Sequence, residues 1–202
     1  MEKYNSILLV GPGGSGKSTQ AGLLEGTGKF VYLSTGEVIR NLGDESYFKR
    51  RFKRNMDLKS YDAANRNVLG MVQGDISRRI IGHAFDPNSQ KLCIDGFPRR
   101  ETQIYLADSL LEVEKVLYLN IPEEVSRQRI TERGENGERP KDLKPEFIEA
   151  KLRRFYIHTT KVINHYAQQG LVTEIDGNPP AESPEISQQE VHLAIMKCLG
   201  LA

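Results

Sequence analysis

Four groups of residues in this chain have types and spacings that could do chemistry. The first is Gly11-Pro12-Gly13-Gly14-Ser15-Gly16-Lys17-Ser18-Thr19, in which Gly11, Gly16, Lys17 and Ser18 satisfy G-x-x-x-x-G-K-S. Glycines let a backbone wrap closely around phosphate oxygens, because they lack a Cβ and accept φ > 0. The amides of such a loop point inward at the start of a helix, whose dipole also favours negative charge. Lys17 would bring a point charge to the β- and γ-phosphates, and the Ser18 hydroxyl could ligate Mg²⁺. Gly11, Gly13 and Gly16 also satisfy the dinucleotide fingerprint, with Glu37 as the acid after a second apolar run. That scheme gives Lys17-Ser18 no role, and neither does a purely structural glycine loop.

The second group is Ser34-Thr35-Gly36-Glu37, which has the form of a capping box and leads into Arg40. The third is Asp95-Gly96-Phe97-Pro98-Arg99, at the end of the apolar run Leu92-Cys93-Ile94. An aspartate closing a strand in a P-loop protein is placed to order Mg²⁺, directly or through water; the alternative is an N-cap or a surface carboxylate. The fourth is Arg129 and Arg133, which share a helix face at i, i+4. They could clamp phosphate bidentately or form a solvated, salt-bridged face.

Each group must be held by an element. Ser6–Val10 reads as a strand buried on both faces, followed by a helix from Lys17 to Glu25. Phe30–Leu33, Leu92–Ile94, Val116–Leu119 and Leu171–Ile175 read as four more strands. Ile76, Ile80 and Ala84 mark an amphipathic helix, and Gly70-Met71-Val72 reads as a break ahead of it. Ile104, Leu110 and Leu111 are assigned to one helix. Ile148, Leu152, Phe155, Thr159, Ile163 and Tyr166 form one face of a long helix from Pro145 to Gly170. Ser187-x-x-Glu190 reads as the cap of a terminal helix. Strands alternating with helices predict an α/β fold, a five-stranded parallel sheet with helices on both faces and ligands at the carboxyl ends of the strands.

Composition narrows the partners. The chain has 202 residues, of which 38% are hydrophobic, enough for one core. Lys and Arg total 28 against 27 Asp and Glu, so global charge gives no reason to expect nucleic acid or a membrane. The basic run Lys49–Arg54 reads as a solvated helix face before a polyanion contact. Cys93 and Cys198 form no CxxC pair, and the four histidines have no metal-ligand spacing; buried free thiols and no zinc are expected. No signal pattern and no long apolar run is present, which makes the cytoplasm the expected location.

Taken together, Gly14-Ser15-Gly16-Lys17-Ser18-Thr19-Gln20, Leu33-Ser34-Thr35-Gly36-Glu37-Val38-Ile39-Arg40, Asp95-Gly96-Phe97-Pro98-Arg99 with Gln103, and Arg129-Ile130 with Arg133 resemble the motifs of the adenylate kinases and the wider nucleoside monophosphate kinases. Order and spacing match over nearly the whole chain, including Lys151-Leu152, Phe155 and Thr159 and the late Glu174-Ile175-Asp176-Gly177. The resemblance implies a P-loop NTPase fold with core segments 1–33, 75–132 and 145–202, a monophosphate-binding arm at 34–74 and a short lid at 133–144. It implies the reversible reaction Mg·ATP + AMP ⇌ 2 ADP, with Mg²⁺ as cofactor, nucleotides as partners and a monomeric enzyme.

By resemblance, Gly14 to Thr19, Arg129, Gly177 and Pro179 belong to the ATP side. Thr35, Arg40, Gly70, Met71, Val72, Gly96, Phe97, Pro98, Arg99 and Gln103 belong to the AMP side. Lys17, Arg99, Arg133, Arg139 and Lys151 surround the transferring group, with Ser18 and Asp95 toward the metal. Thr35 and Gln103 follow the adenylate pattern, where pyrimidine kinases tend to carry alanine and asparagine. The departures are Gly13 in place of the usual proline, Ser18 in place of glycine, Lys141 in place of an acid, and Lys151 in place of an arginine that Arg153 or Arg154 neighbours. A UMP/CMP kinase and a nucleotide-binding protein with weak catalysis are the competing readings.

Overall fold

The structure, a computed structural model, describes residues 3–41, 50, 61–137 and 143–202. The side chains of 39–41 and 61–67 also lie outside what it describes, as do Arg139, Lys141 and, apart from Arg50, the basic run at 49–54. Its centre is a five-stranded sheet of order β2-β3-β1-β4-β5, parallel at every pairing. The strands are β1 (Tyr4–Val10), β2 (Phe30–Ser34), β3 (Lys91–Asp95), β4 (Leu111–Asn120) and β5 (Val172–Asp176). The central runs are apolar at successive residues because both faces are covered. Leu8, Val10, Leu33, Ile94 and Val116 pack on one face; Ile7, Leu9, Cys93, Leu117 and Leu119 pack on the other.

The helices are α1 (Lys17–Glu25), α2 (Thr35–Asn41), α3 (Tyr61–Ile81), α4 (Ile104–Leu110), α5 (Glu123–Glu135), α6 (Pro145–Arg154), α7 (Thr160–Ala167) and α8 (Pro184–Cys198). Ala21 and Leu24 of α1 and Val191 and Ile195 of α8 cover one face. Val72 and Ile76 of α3, Leu106 and Leu110 of α4 and Val162 and Tyr166 of α7 cover the other. Each fully buried Leu or Ile contributes on the order of 1.5–3 kcal/mol.

Several boundaries differ from the sequence expectation. Gly70-Met71-Val72 does not break a helix: α3 runs through it. Val68, Met71, Val72 and Ile76 are all buried with Val38, and that packing outweighs the roughly 1 kcal/mol that an interior glycine costs. Ala84 lies beyond α3 and is exposed. Leu111 opens β4 and pairs with Tyr4, so only Leu110 ends the helix. The cap of α8 is Ser183, whose Oγ accepts the Ile186 N–H at 3.3 Å, with Pro184 at the first helical position. Ser187 instead donates to the Pro179 carbonyl at 3.2 Å. The long helix from Pro145 is one unit interrupted by a π turn at Phe155–Thr159, and all six residues of its expected face are buried.

Strand order also locates the crevice. The chain leaves β1 toward β2 on one side, and leaves β3 toward β4 on the other. The carboxyl ends of β1 and β3, which are direct neighbours, are therefore the switch point where ligands bind. Cys93 and Cys198 are free thiols; Cys93 is fully buried and burial pushes its pKa well up. Among the described residues no helix is long and apolar enough to cross a membrane.

Candidate active site

One wall of the crevice is the loop from Gly11 to Gly16 between β1 and α1. Gly14 and Gly16 have φ of 77° and 85°, in the left-handed region that lets the loop turn tightly. No side-chain hydrogen bond caps α1 at Gly16, and the start of this helix is where an anion is favoured. Lys17 Nζ folds over the loop, donating to the carbonyls of Gly11 at 2.9 Å and Pro12 at 2.8 Å and to Ser15 Oγ at 3.1 Å.

Helix α5 braces this wall with one face. Ser126 Oγ donates to the Gly13 carbonyl at 2.5 Å. Arg129 Nη1 donates to Gly14 O at 3.2 Å and Gly177 O at 3.3 Å, and its Nη2 donates to Asn178 Oδ1 at 2.7 Å. Ile130, fully buried, fills the space beside Gly13. Gly177 donates to Asn120 O at 2.8 Å and packs so closely that an added Cβ would lie 2.8 Å from Ile121 Cγ2 and 3.1 Å from Asn120 O. Pro179 follows on the same loop. Arg133 is one turn further along α5 with its Nε buried.

The other wall is the turn after β3. Gly96 has φ 90°, and a Cβ there would fall 2.5 Å from Thr35 Oγ1 and 2.7 Å from Arg99 Nη2. The glycine thus lets Thr35 and the Arg99 guanidinium lie side by side. Thr35 is buried at the start of α2 and its Oγ1 donates to Asp95 O at 3.3 Å. Ser34 caps α2, accepting the Glu37 N–H at 3.3 Å. Phe97 and Pro98 are buried beneath the turn. Gln103 is buried, and its Oε1 accepts the Arg99 N–H at 2.7 Å. Asp95 ends β3 in register with Leu9 of β1 and Ser34 of β2. Its Oδ1 is buried with no hydrogen-bond partner among the described residues. A carboxylate oxygen in that state fits a hydrated cation. The nearby charge of Asp95, after burial itself, helps hold Tyr32 up at about 12.

Other site residues are placed less directly. Met71 and Val72 lie in the core inside α3, where the backbone is paired within the helix, and Gly70 is half-buried. Lys151 Nζ sits 5.5 Å from the Phe147 ring centroid on its own helix. Arg40 belongs to α2. Arg153 and Arg154, the arginines that neighbour Lys151, lie with it in the last turn of α6. Arg154 is exposed, and its Nε donates to the Ala150 carbonyl of its own helix at 2.8 Å; partial burial, then the charges of Arg99 and Arg100, lower its pKa. Of the two residues that hold the loops, Ser126 carries no signal in the sequence, and Thr159 stands there only in the family-like run from Lys151 and on a buried helix face.

A lysine-bearing glycine loop at the switch point of a parallel sheet, facing an arginine turn on the neighbouring strand, defines an α/β phosphate-binding protein of the P-loop class. The sequence profile of the family described as adenylate kinase matches residues 9–171. The chain is 32% identical over 200 residues to an adenylate kinase of Rhodopirellula baltica, covering 96% of this chain and 94% of that one. It is 30% identical over 196 residues to one of Prochlorococcus marinus, covering 94% and 98%. It is 31% identical over 183 residues to one of Micrococcus luteus, covering 85% and 82%. The chain belongs to the adenylate kinase family, a family of phosphotransferase enzymes.

Proposed function

We propose that the protein transfers the terminal phosphoryl group of Mg·ATP to AMP, reversibly, giving two ADP. The observation that carries this reading is the facing of two cationic loops on hydrogen-bonded neighbouring strands: Lys17 after β1, Arg99 after β3. Transfer of a phosphoryl group needs positioning and charge stabilisation more than a protein nucleophile. An oxygen of the AMP phosphate attacks the γ-phosphorus. The bond from that phosphorus to the β–γ bridging oxygen breaks, and its electron pair leaves on ADP.

The loop amides from Gly14 to Thr19 cradle the ATP phosphates, and Lys17 exchanges its carbonyl partners for the β- and γ-phosphates. Arg129, Gly177 and Pro179 border the ATP side, next to the base. Arg40 and Arg99 hold the AMP phosphate. Thr35, Gln103 and the segment Gly70-Met71-Val72 define the adenine side. Arg133, Arg139 and Lys151 gather round the transferring group, with Arg154 adding a charge beside Arg99. Mg²⁺, when bound, draws off negative charge from the phosphate oxygens; Ser18 and Asp95 would hold it, Asp95 directly or through water. Residues 34–74 act as the monophosphate arm and 133–144 as a short lid that excludes water. The working form is a monomer in the cytoplasm.

The test is phosphoryl transfer from Mg·ATP to AMP, CMP, UMP, GMP or no acceptor. Strong preference for AMP is expected. Preference for CMP or UMP would move the assignment to a pyrimidine monophosphate kinase. ATP binding without transfer to any acceptor would leave a nucleotide-binding protein.

A further inference from the structure

Thr159 is a buried threonine at the end of the π turn. A threonine within a helix can donate its hydroxyl to the carbonyl four residues back. Thr160 does so, to Tyr156 O at 2.7 Å, and Thr131 does so, to Arg127 O at 3.1 Å. Thr159 does not. Its Oγ1 donates to the Arg99 carbonyl at 3.2 Å, sixty positions away in sequence. A π turn widens the helix by one residue and is frequently found at functional sites.

The peptide groups on both sides of the Arg99 Cα are therefore held by side chains from different elements. Gln103 takes the N–H at 2.7 Å and Thr159 supplies a donor to the C=O. With both peptide planes fixed, the Cα–Cβ vector of Arg99 has one direction, toward Gly96 and Thr35. The side chain itself is exposed and long, so its aim depends on the backbone that carries it.

We propose that Thr159 is a positioning residue for the monophosphate half of the reaction: its hydroxyl docks the π turn on the Arg99 carbonyl and so aims the guanidinium at the acceptor phosphate. This rests on the reading of Arg99 as a ligand of that phosphate. Thr159→Val keeps the shape and removes the donor; Thr159→Ser keeps the donor. Steady-state kinetics with AMP and ATP varied separately read the effect.

Thr159→Val is expected to raise the KM for AMP by roughly 2- to 10-fold, the size of one hydrogen bond. The KM for ATP should stay unchanged, and Thr159→Ser should restore the KM for AMP. In an Arg99→Ala background, Thr159→Val should add nothing. Wild-type AMP kinetics in Thr159→Val, an equal rise in both KM values, or a full effect persisting without the Arg99 side chain would each overturn the proposal. Should Thr159→Val fold poorly, Thr159→Ala is read in the same way. If Arg99→Ala itself leaves AMP use unchanged, the reading of Arg99 falls and takes this proposal with it. An impaired Arg99→Ala beside a normal Thr159→Val removes the role of Thr159 alone.

Discussion

Ile130 occupies the space that a side chain at residue 13 would need: a Cβ on Gly13 would lie 2.7 Å from Ile130 Cδ1 and 3.2 Å from its Cγ1. Gly13 is not among the glycines with positive φ, so the constraint there is volume and not backbone conformation. This gives a packing reason for glycine where the family usually has proline. Ile130 is fully buried with Ile148 and Leu152, and has little room to retreat. Gly13→Ala is expected to cost about 1–3 kcal/mol by overpacking. Ile130→Val removes the nearest atom and should recover most of that loss. Urea unfolding of the two single variants and the double variant measures the coupling; simple additivity would show that the contact is not the cause.

Gln103 spends its side-chain carbonyl on the Arg99 N–H. Asparagine is one methylene shorter and cannot keep that bond from the same backbone position. Gln103→Asn is expected to weaken AMP use by roughly 2- to 10-fold through Arg99. Competition among AMP, CMP and UMP separates two roles. Loss for AMP with no gain for the pyrimidines means that Gln103 shapes the loop. A switch toward CMP or UMP means that it reads the base.

Lys17 holds two carbonyls and one hydroxyl of its own loop. Lys17→Met should cut turnover by about 10²-fold or more, since a charge aimed at the transferring phosphate is lost. Stability should change by about 1–4 kcal/mol, because three net hydrogen bonds disappear. Turnover near the wild-type level with an intact melting transition would mean that the loop is not the donor-phosphate site.

His192 ties α8 to α1. Its Nδ1 lies 3.1 Å from Gln20 Oε1, and Gln20 Nε2 donates to Gln188 O at 3.0 Å. Burial lowers the His192 pKa, so the folded state resists a proton that the unfolded chain accepts near its ordinary value of about 6.5. Stability is then full above that pH and falls as pH drops through it. His158 has the same sign, from burial and then from Arg100 and Lys161. The denaturation midpoint should fall between about pH 7.5 and 5.5, and His192→Gln should flatten part of that slope. An identical slope in the variant would clear His192 of any share.

Much of the fold was legible because central parallel strands are apolar at consecutive positions, which little else in a chain of this length is. The errors came where one residue could serve two elements. Leu111 continues an apolar run from α4 but pairs with Tyr4. Gly70 looks like a breaker until its neighbours are seen buried against Val38. Ser183 outranks Ser187 as a cap because Pro184 fixes the first helical position. In the site, residues that touch phosphate in local motifs could be read from spacing. Ser126 and Thr159 act across the tertiary fold: no local pattern announces Ser126, and the family-like run that contains Thr159 does not say that it reaches Arg99.

The register of β1 against β3 works as a ruler. Leu9 stands opposite Asp95, so the P-loop and the Arg99 turn leave the sheet from adjacent rungs of one ladder. Neighbouring strands are about 4.8 Å apart, a distance fixed by backbone hydrogen bonds and insensitive to side-chain rearrangement. Donor and acceptor phosphates would thus be spaced by the most buried part of the molecule. Changing the spacing of the strands requires breaking the central ladder, so the separation of the points from which the two loops leave the sheet is protected by the stability of the core itself.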